Sequence, residues 1–80
     1  MKRSEFEIEE RIAVIRGGSY PLEVNRISWD GRKPTYDIRK WKLGNDGERI
    51  PLKGITLSAK EAGILRNVLS GIELLDEVEG

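Results

Sequence analysis

The chain has no cysteine and no histidine among its 80 residues. Without cysteine there can be no disulfide staple and no thiolate metal site. Without histidine the commonest metal ligand and the usual general base are missing. No apolar run approaches the roughly 20 residues that cross a bilayer. No signal-peptide-like apolar stretch opens the chain, so a cytoplasmic location is expected. Carboxylates are too scattered through the middle of the chain to suggest a metal site, and Glu5, Glu7 and Glu9 read as one solvated strand face. No catalytic residue, metal or cofactor is expected, and the chain does not read as an enzyme.

Length sets the next bound. Eighty residues allow a single domain over 1–80, which buries only roughly 60% of the surface its unfolded chain exposes. With disulfides and metals excluded, association with a second copy is the remaining means of stabilising so small a core.

The formal net charge is zero, but its distribution is uneven. Residues 1–25 carry a net −1, residues 26–53 a net +4 and residues 54–80 a net −3. The basic middle comprises Arg26, Arg32, Lys33, Arg39, Lys40, Lys42, Arg49 and Lys53, against four acids. A polyanion responds to that local field and not to the chain total.

Period-two patterning predicts four strands. Phe6, Ile8, Ile12 and Val14 alternate with charged residues and end at Gly17-Gly18-Ser19, a turn signal. Leu22 to Trp29 reads as a second strand with a slip in phase: Leu22 and Val24 share one parity, Ile27 and Trp29 the other. A bulge near Asn25-Arg26 would account for the slip, as would a Trp29 facing away from the core. Asp30-Gly31 marks a hairpin turn with Pro34 on its far side. Thr35 to Lys42 is a third strand, with Tyr36, Ile38 and Lys40 on one face and Thr35, Asp37, Arg39 and Trp41 on the other. Gly44-Asn45-Asp46-Gly47 turns into a fourth strand, Arg49 to Leu57, where Pro51 implies an edge or a bend. Ser58 and Glu61 fit a capping box. The helix that follows repeats Ala62, Leu65, Leu69 and Ile72 on a broad apolar stripe, wider than a four-stranded sheet can cover.

Both tryptophans lie in the basic middle. Flat rings beside cations are what grips unstacked bases and their phosphates. The same rings also suit a packed core. Trp41 shares its strand face with Arg39 and Thr35, which favours an exposed groove.

Three segments together resemble the transcriptional positive cofactor four family, in particular its short bacterial members. They are Ile27-Ser28-Trp29, then Tyr36-Asp37-Ile38-Arg39-Lys40-Trp41, then Lys53-Gly54-Ile55-Thr56-Leu57-Ser58 with its helix. The resemblance implies an α+β fold, β-β-β-β-α, with a curved four-stranded antiparallel sheet and one C-terminal helix. It implies a homodimer through helices and sheets, with Leu65, Leu69 and Ile72 at the interface. It further implies single-stranded DNA binding with little sequence preference, in support of transcription or another process with melted DNA, and hence association with the nucleoid. Trp29 matches the aromatic ending the strand before Asp-Ile-Arg, Arg39 the groove arginine, and Lys53 the lysine before Gly-Ile-Thr-Leu. The eighty residues hold no serine- and lysine-rich N-terminal region of the eukaryotic kind, so coactivation through its phosphorylation is not carried over.

The expected nucleic-acid-binding residues are therefore Arg26, Trp29, Lys33, Arg39, Trp41, Lys42 and Lys53. Trp29 and Trp41 would stack bases, while Arg39, Lys53 and their neighbours hold phosphates. Asp37 reads as a structural partner for an arginine. Single-stranded RNA as ligand is one alternative; the other is a protein-interaction module whose helix or sheet edge docks on a transcription complex, a reading that the acidic helix end at 73–79 favours.

Overall fold

The computed structural model describes residues 5–75. The acidic end at 73–79 therefore lies mostly outside the described residues. Alternating apolar and polar residues form β1 (Phe6–Arg16), β2 (Leu22–Trp29), β3 (Thr35–Leu43) and β4 (Arg49–Leu57), followed by α1 (Ala59–Gly71). The strands form one open antiparallel sheet in the order β1-β2-β3-β4. The β2–β3 connection turns where Asp30 (φ 52°) and Gly31 (φ 75°) adopt the left-handed backbone that a tight hairpin requires. At the start of α1 the Ser58 side chain accepts from the Glu61 amide at 3.1 Å, while the Glu61 carboxylate accepts from the Ser58 amide at 2.9 Å. That capping box satisfies two amides left without partners by the first turn. The helix ends at Gly71.

The pairing of β2 with β3 is regular from Leu22 opposite Lys40 to Ile27 opposite Thr35. The bulge expected near Asn25-Arg26 does not form: Glu23, Asn25 and Ile27 alternate without a break as buried residues, and the slip in parity arises because Leu22 and Val24 belong to the other face. Register shifts occur on β1 between Ile8 and Glu10, Arg11 and Ala13, and Val14 and Arg16. Each inserts an extra residue, bends the strand and increases its twist. The bulges also break the period-two reading of β1: Ile12 lies in a shift and is exposed, as is Val14. A further shift between Arg39 and Trp41 sets two residues of β4, Leu52 and Lys53, against the single residue Lys40 on β3. The bend expected at Pro51 lies there.

The sheet is strongly curved. Ile27 pairs with Thr35, so flat strands would separate the levels of Trp29 and Arg39 by six residues, about 20 Å. The Arg39 guanidinium carbon nevertheless sits 4.9 Å from the Trp29 ring centroid. Likewise Phe6 pairs with Trp29 while the Trp41 amide donates to the Pro21 carbonyl, levels eight residues or about 26 Å apart along flat strands, yet the Phe6 and Trp41 rings approach to 5.3 Å. Side chains on this concave face converge and cover one another.

Convergence decides where the core sits. Alternation correctly places Thr35, Asp37, Arg39 and Trp41 on one face, but the expectation that this face serves a ligand while Tyr36 and Ile38 face the core is reversed for burial. Ile27 and Trp41 are fully buried, and so are Asn25 and Asp37, with Glu23 nearly so. All lie on the concave face. Tyr36 and Ile38, on the other face, are half-buried. The helix touches only β3 and β4 and buries none of its own residues.

Candidate nucleic-acid interface

Two aromatic-cation clusters occupy the concave face, and Phe6 joins them. In the first, Arg39 lies over Trp29 at 4.9 Å, and Phe6 meets Trp29 at 5.5 Å between ring centroids. In the second, Arg49 lies over Trp41 at 5.2 Å, and Phe6 meets Trp41 at 5.3 Å. Each arginine is held by an acid on the same face. Arg39 donates from Nε and Nη2 to the two carboxylate oxygens of Asp37, both at 2.8 Å, and from Nη1 to the Leu52 carbonyl at 2.6 Å. Arg49 pairs with Glu23, which also accepts from the Asn25 amide at 3.1 Å.

Glu23 is acidified by this surrounding. Burial alone would raise its pKa. Hydrogen bonds from Arg49 and Asn25, with the charges of Arg49 and Arg11, outweigh burial and hold it below its ordinary value of 4.5.

The Trp29 cluster opens on a cleft of about 450 Å³ lined by Trp29, Asp30, Arg32, Lys33, Thr35, Arg39 and Thr56. That volume falls in the range of small-ligand sites. The hairpin tip that forms its rim is well tied down. The Asp30 amide donates to the Glu5 carbonyl at 2.7 Å, and the Asp30 carboxylate accepts from the Glu5 amide at 2.9 Å. The Ser28 hydroxyl donates to the Arg32 carbonyl at 2.6 Å. Arg32 and Lys33 are exposed, and neither forms an ion pair among the described residues. A cleft with an aromatic wall, two free cations and two hydroxyls suits an unpaired base with its phosphate.

The structure brings Trp29, Lys33 and Arg39 together at this cleft and separates the other sequence-expected residues from it. Trp41 is fully buried between Phe6 and Arg49. It offers no free ring face, because the curved sheet closes over that end. Arg26 pairs across from Tyr36 on the opposite face and forms an ion pair with Glu10 at 3.5 Å. Lys42 alternates with Trp41 and also falls on the opposite face, across from Ile50. Lys53 is exposed in the β4 bulge, outside the cleft lining. Arg39 borders the cleft with three of its five donors already committed.

Sequence reasoning missed Asp30, Arg32, Thr35 and Thr56 as lining residues, and Phe6 as the joint between the clusters. Arg32 carried a usable signal, standing beside Lys33 directly after the Asp30-Gly31 turn. The threonines and Phe6 carried none, because they reach the site through pairing and curvature.

Residues 19–68 match the family model Transcriptional Coactivator p15 (PC4). The chain belongs to this family. PC4 proteins are known for single-stranded DNA binding and coactivator function. The matched span covers β2 to most of α1 and begins after β1, so Phe6 lies outside it. A relative in Treponema pallidum (strain Nichols), an uncharacterized protein, is 40% identical over 58 residues. The similarity covers 72% of this chain and 65% of that relative, so the chain spans less than two thirds of its length. Among the described residues no helix is long and apolar enough to cross a membrane.

Proposed function

We propose that the protein binds single-stranded DNA with little sequence preference, seating an unpaired base at the Trp29 cleft while Arg32 and Lys33 neutralise the adjoining phosphates. The observation that carries this reading is the Trp29–Arg39 stack at 4.9 Å forming one wall of a cleft whose rim holds Arg32 and Lys33, unpaired among the described residues. Membership of the PC4 family supports it. A ring stacks on any base, so the grip tolerates sequence. Trp41 is not part of the stacking surface.

The active species in this reading is a homodimer. Ile64, Val68 and Leu69 on α1, and Ile72 just past the helix end that the apolar stripe was expected to include, are between 47 and 56% exposed. A single-sided helix with so much uncovered apolar area is stabilised by a second copy. Leu65, Leu69 and Ile72 are the proposed contacts, although Leu65 is already half-buried against its own chain.

Titration of intrinsic fluorescence with oligo-dT, and separately with duplex, tests the DNA reading. Quenching by oligo-dT is expected, and it should weaken with salt at a log–log slope of about 0.7 per phosphate contacted. No quenching at low salt would overturn the proposal. Sedimentation at micromolar concentration tests the dimer, and a monomer mass would reject it.

A further inference from the structure

We infer that Arg39 serves the proposed DNA site as a charge-neutralised stacking plate positioned by Asp37, and not as a phosphate-binding cation. The inference rests on the single-stranded DNA reading above and assigns roles within it.

The Asp37 carboxylate is fully buried, and both of its oxygens are taken by Arg39 at 2.8 Å. The third anchored donor, Nη1, is spent on the Leu52 carbonyl. The Arg39 side chain is only 13% exposed. A phosphate that drew the guanidinium away would strand a buried carboxylate without a partner, a strongly unfavourable exchange. In place, the pair carries no net charge, so it offers a polyanion little attraction.

The pair does supply a plane. The guanidinium lies against the Trp29 ring, and Asp37 fixes the tilt of that plane with two parallel hydrogen bonds. Bases stack on arginine planes as they do on aromatic rings. Arg39 therefore enlarges the Trp29 platform and locks the ring against the cleft wall. Phosphate neutralisation falls to Arg32 and Lys33, whose charges are uncompensated among the described residues. Asp37 does not itself line the cleft and meets its wall through Arg39. It is a positioning residue, acting through Arg39.

Oligo-dT titrations of the full chain across a salt series separate stacking from charge. Lys33→Ala should flatten the log–log slope by about 0.7. Arg39→Lys keeps the charge and an ion pair for Asp37 but loses the plane. It should leave the slope unchanged and weaken binding about tenfold, as the loss of a stack does. Asp37→Asn should steepen the slope by up to about 0.7, because Arg39 becomes a free cation. Arg39→Lys binding as tightly as the unaltered protein would overturn the inference. So would Arg39→Ala flattening the slope by as much as Lys33→Ala, an outcome readable even where Asp37→Asn does not fold. If the unaltered protein fails to quench with oligo-dT, the DNA reading itself falls. A quenching protein with a charge-dependent Arg39 removes only this assignment.

Discussion

Gly54 lies directly opposite Arg39 in the β3–β4 ladder, and a Cβ at Gly54 would come within 2.3 Å of the Arg39 Cβ. It would also stand 2.5 Å from the Ile38 carbonyl oxygen. These are rigid neighbours, so relief requires the strands to part. Gly54→Ala is expected to cost about 1–3 kcal/mol of stability and to weaken oligo-dT binding by displacing Arg39. Urea unfolding and DNA titration of the same preparation check both. An unchanged unfolding midpoint would contradict the close approach.

The two tryptophans are expected to separate cleanly. Trp29→Phe should remove most of the oligo-dT-dependent quenching, and Trp29→Ala should lose about 1–3 kcal/mol of binding. Trp41→Phe should keep the quenching, because the ring at 41 is enclosed by Phe6 and Arg49. Trp41→Ala should instead cost about 3–5 kcal/mol of stability, a large share of what a domain this small has.

Phe6 touches both tryptophan rings, although it lies outside the span that matches the family. Phe6→Ala should lower stability by about 2 kcal/mol, less than a fully buried phenylalanine would. It should also shift the emission of both tryptophans to the red. A change confined to one of them would show that the clusters are not joined through Phe6.

The two faces of the sheet should differ in their salt response. Arg32→Ala, at the cleft rim, should flatten the log–log slope by about 0.7. Arg26→Ala and Lys42→Ala should leave it unchanged, since both side chains belong to the opposite face. A slope change with Arg26→Ala would place DNA on that face as well.

Acid should destabilise the protein partly through Glu23. Its folded pKa lies below its unfolded value near 4.5, so the stability this contributes is fully present above 4.5 and is lost as pH falls through the lower folded value. Glu23→Gln should be less stable at neutral pH and show a shallower further loss below pH 4.5. Thermal melts from pH 6 down to pH 3 measure the difference. Parallel melting curves for the two proteins would mean that Glu23 is not held by Arg49 in solution.

Much of the fold was legible because it is written in local chemistry. The Asp30-Gly31 turn, the Ser58–Glu61 capping box, the register shift beside Pro51 and the facing of Arg39 with Trp41 each depend on residues a few positions apart. The alternation of faces follows from the pleat, whose period of two is the same in every strand. The family was legible for a related reason: Asp37-Ile38-Arg39 and Lys53-Gly54-Ile55-Thr56 are short motifs whose glycine and buried acid answer a specific contact.

Which face became the interior was not legible. That depends on curvature, and the curvature accompanies bulges in β1, set by how one strand's length is matched to its neighbour's. Curvature brings Trp29 onto Arg39, closes Phe6 over Trp41, and leaves only the first tryptophan at a cleft. The sequence by itself determined the order of elements, their turns and the grouping of side chains by face, because these follow from local backbone geometry. The tertiary structure alone decided which ring is covered and which arginine is neutralised, because both result from side chains brought together across strands.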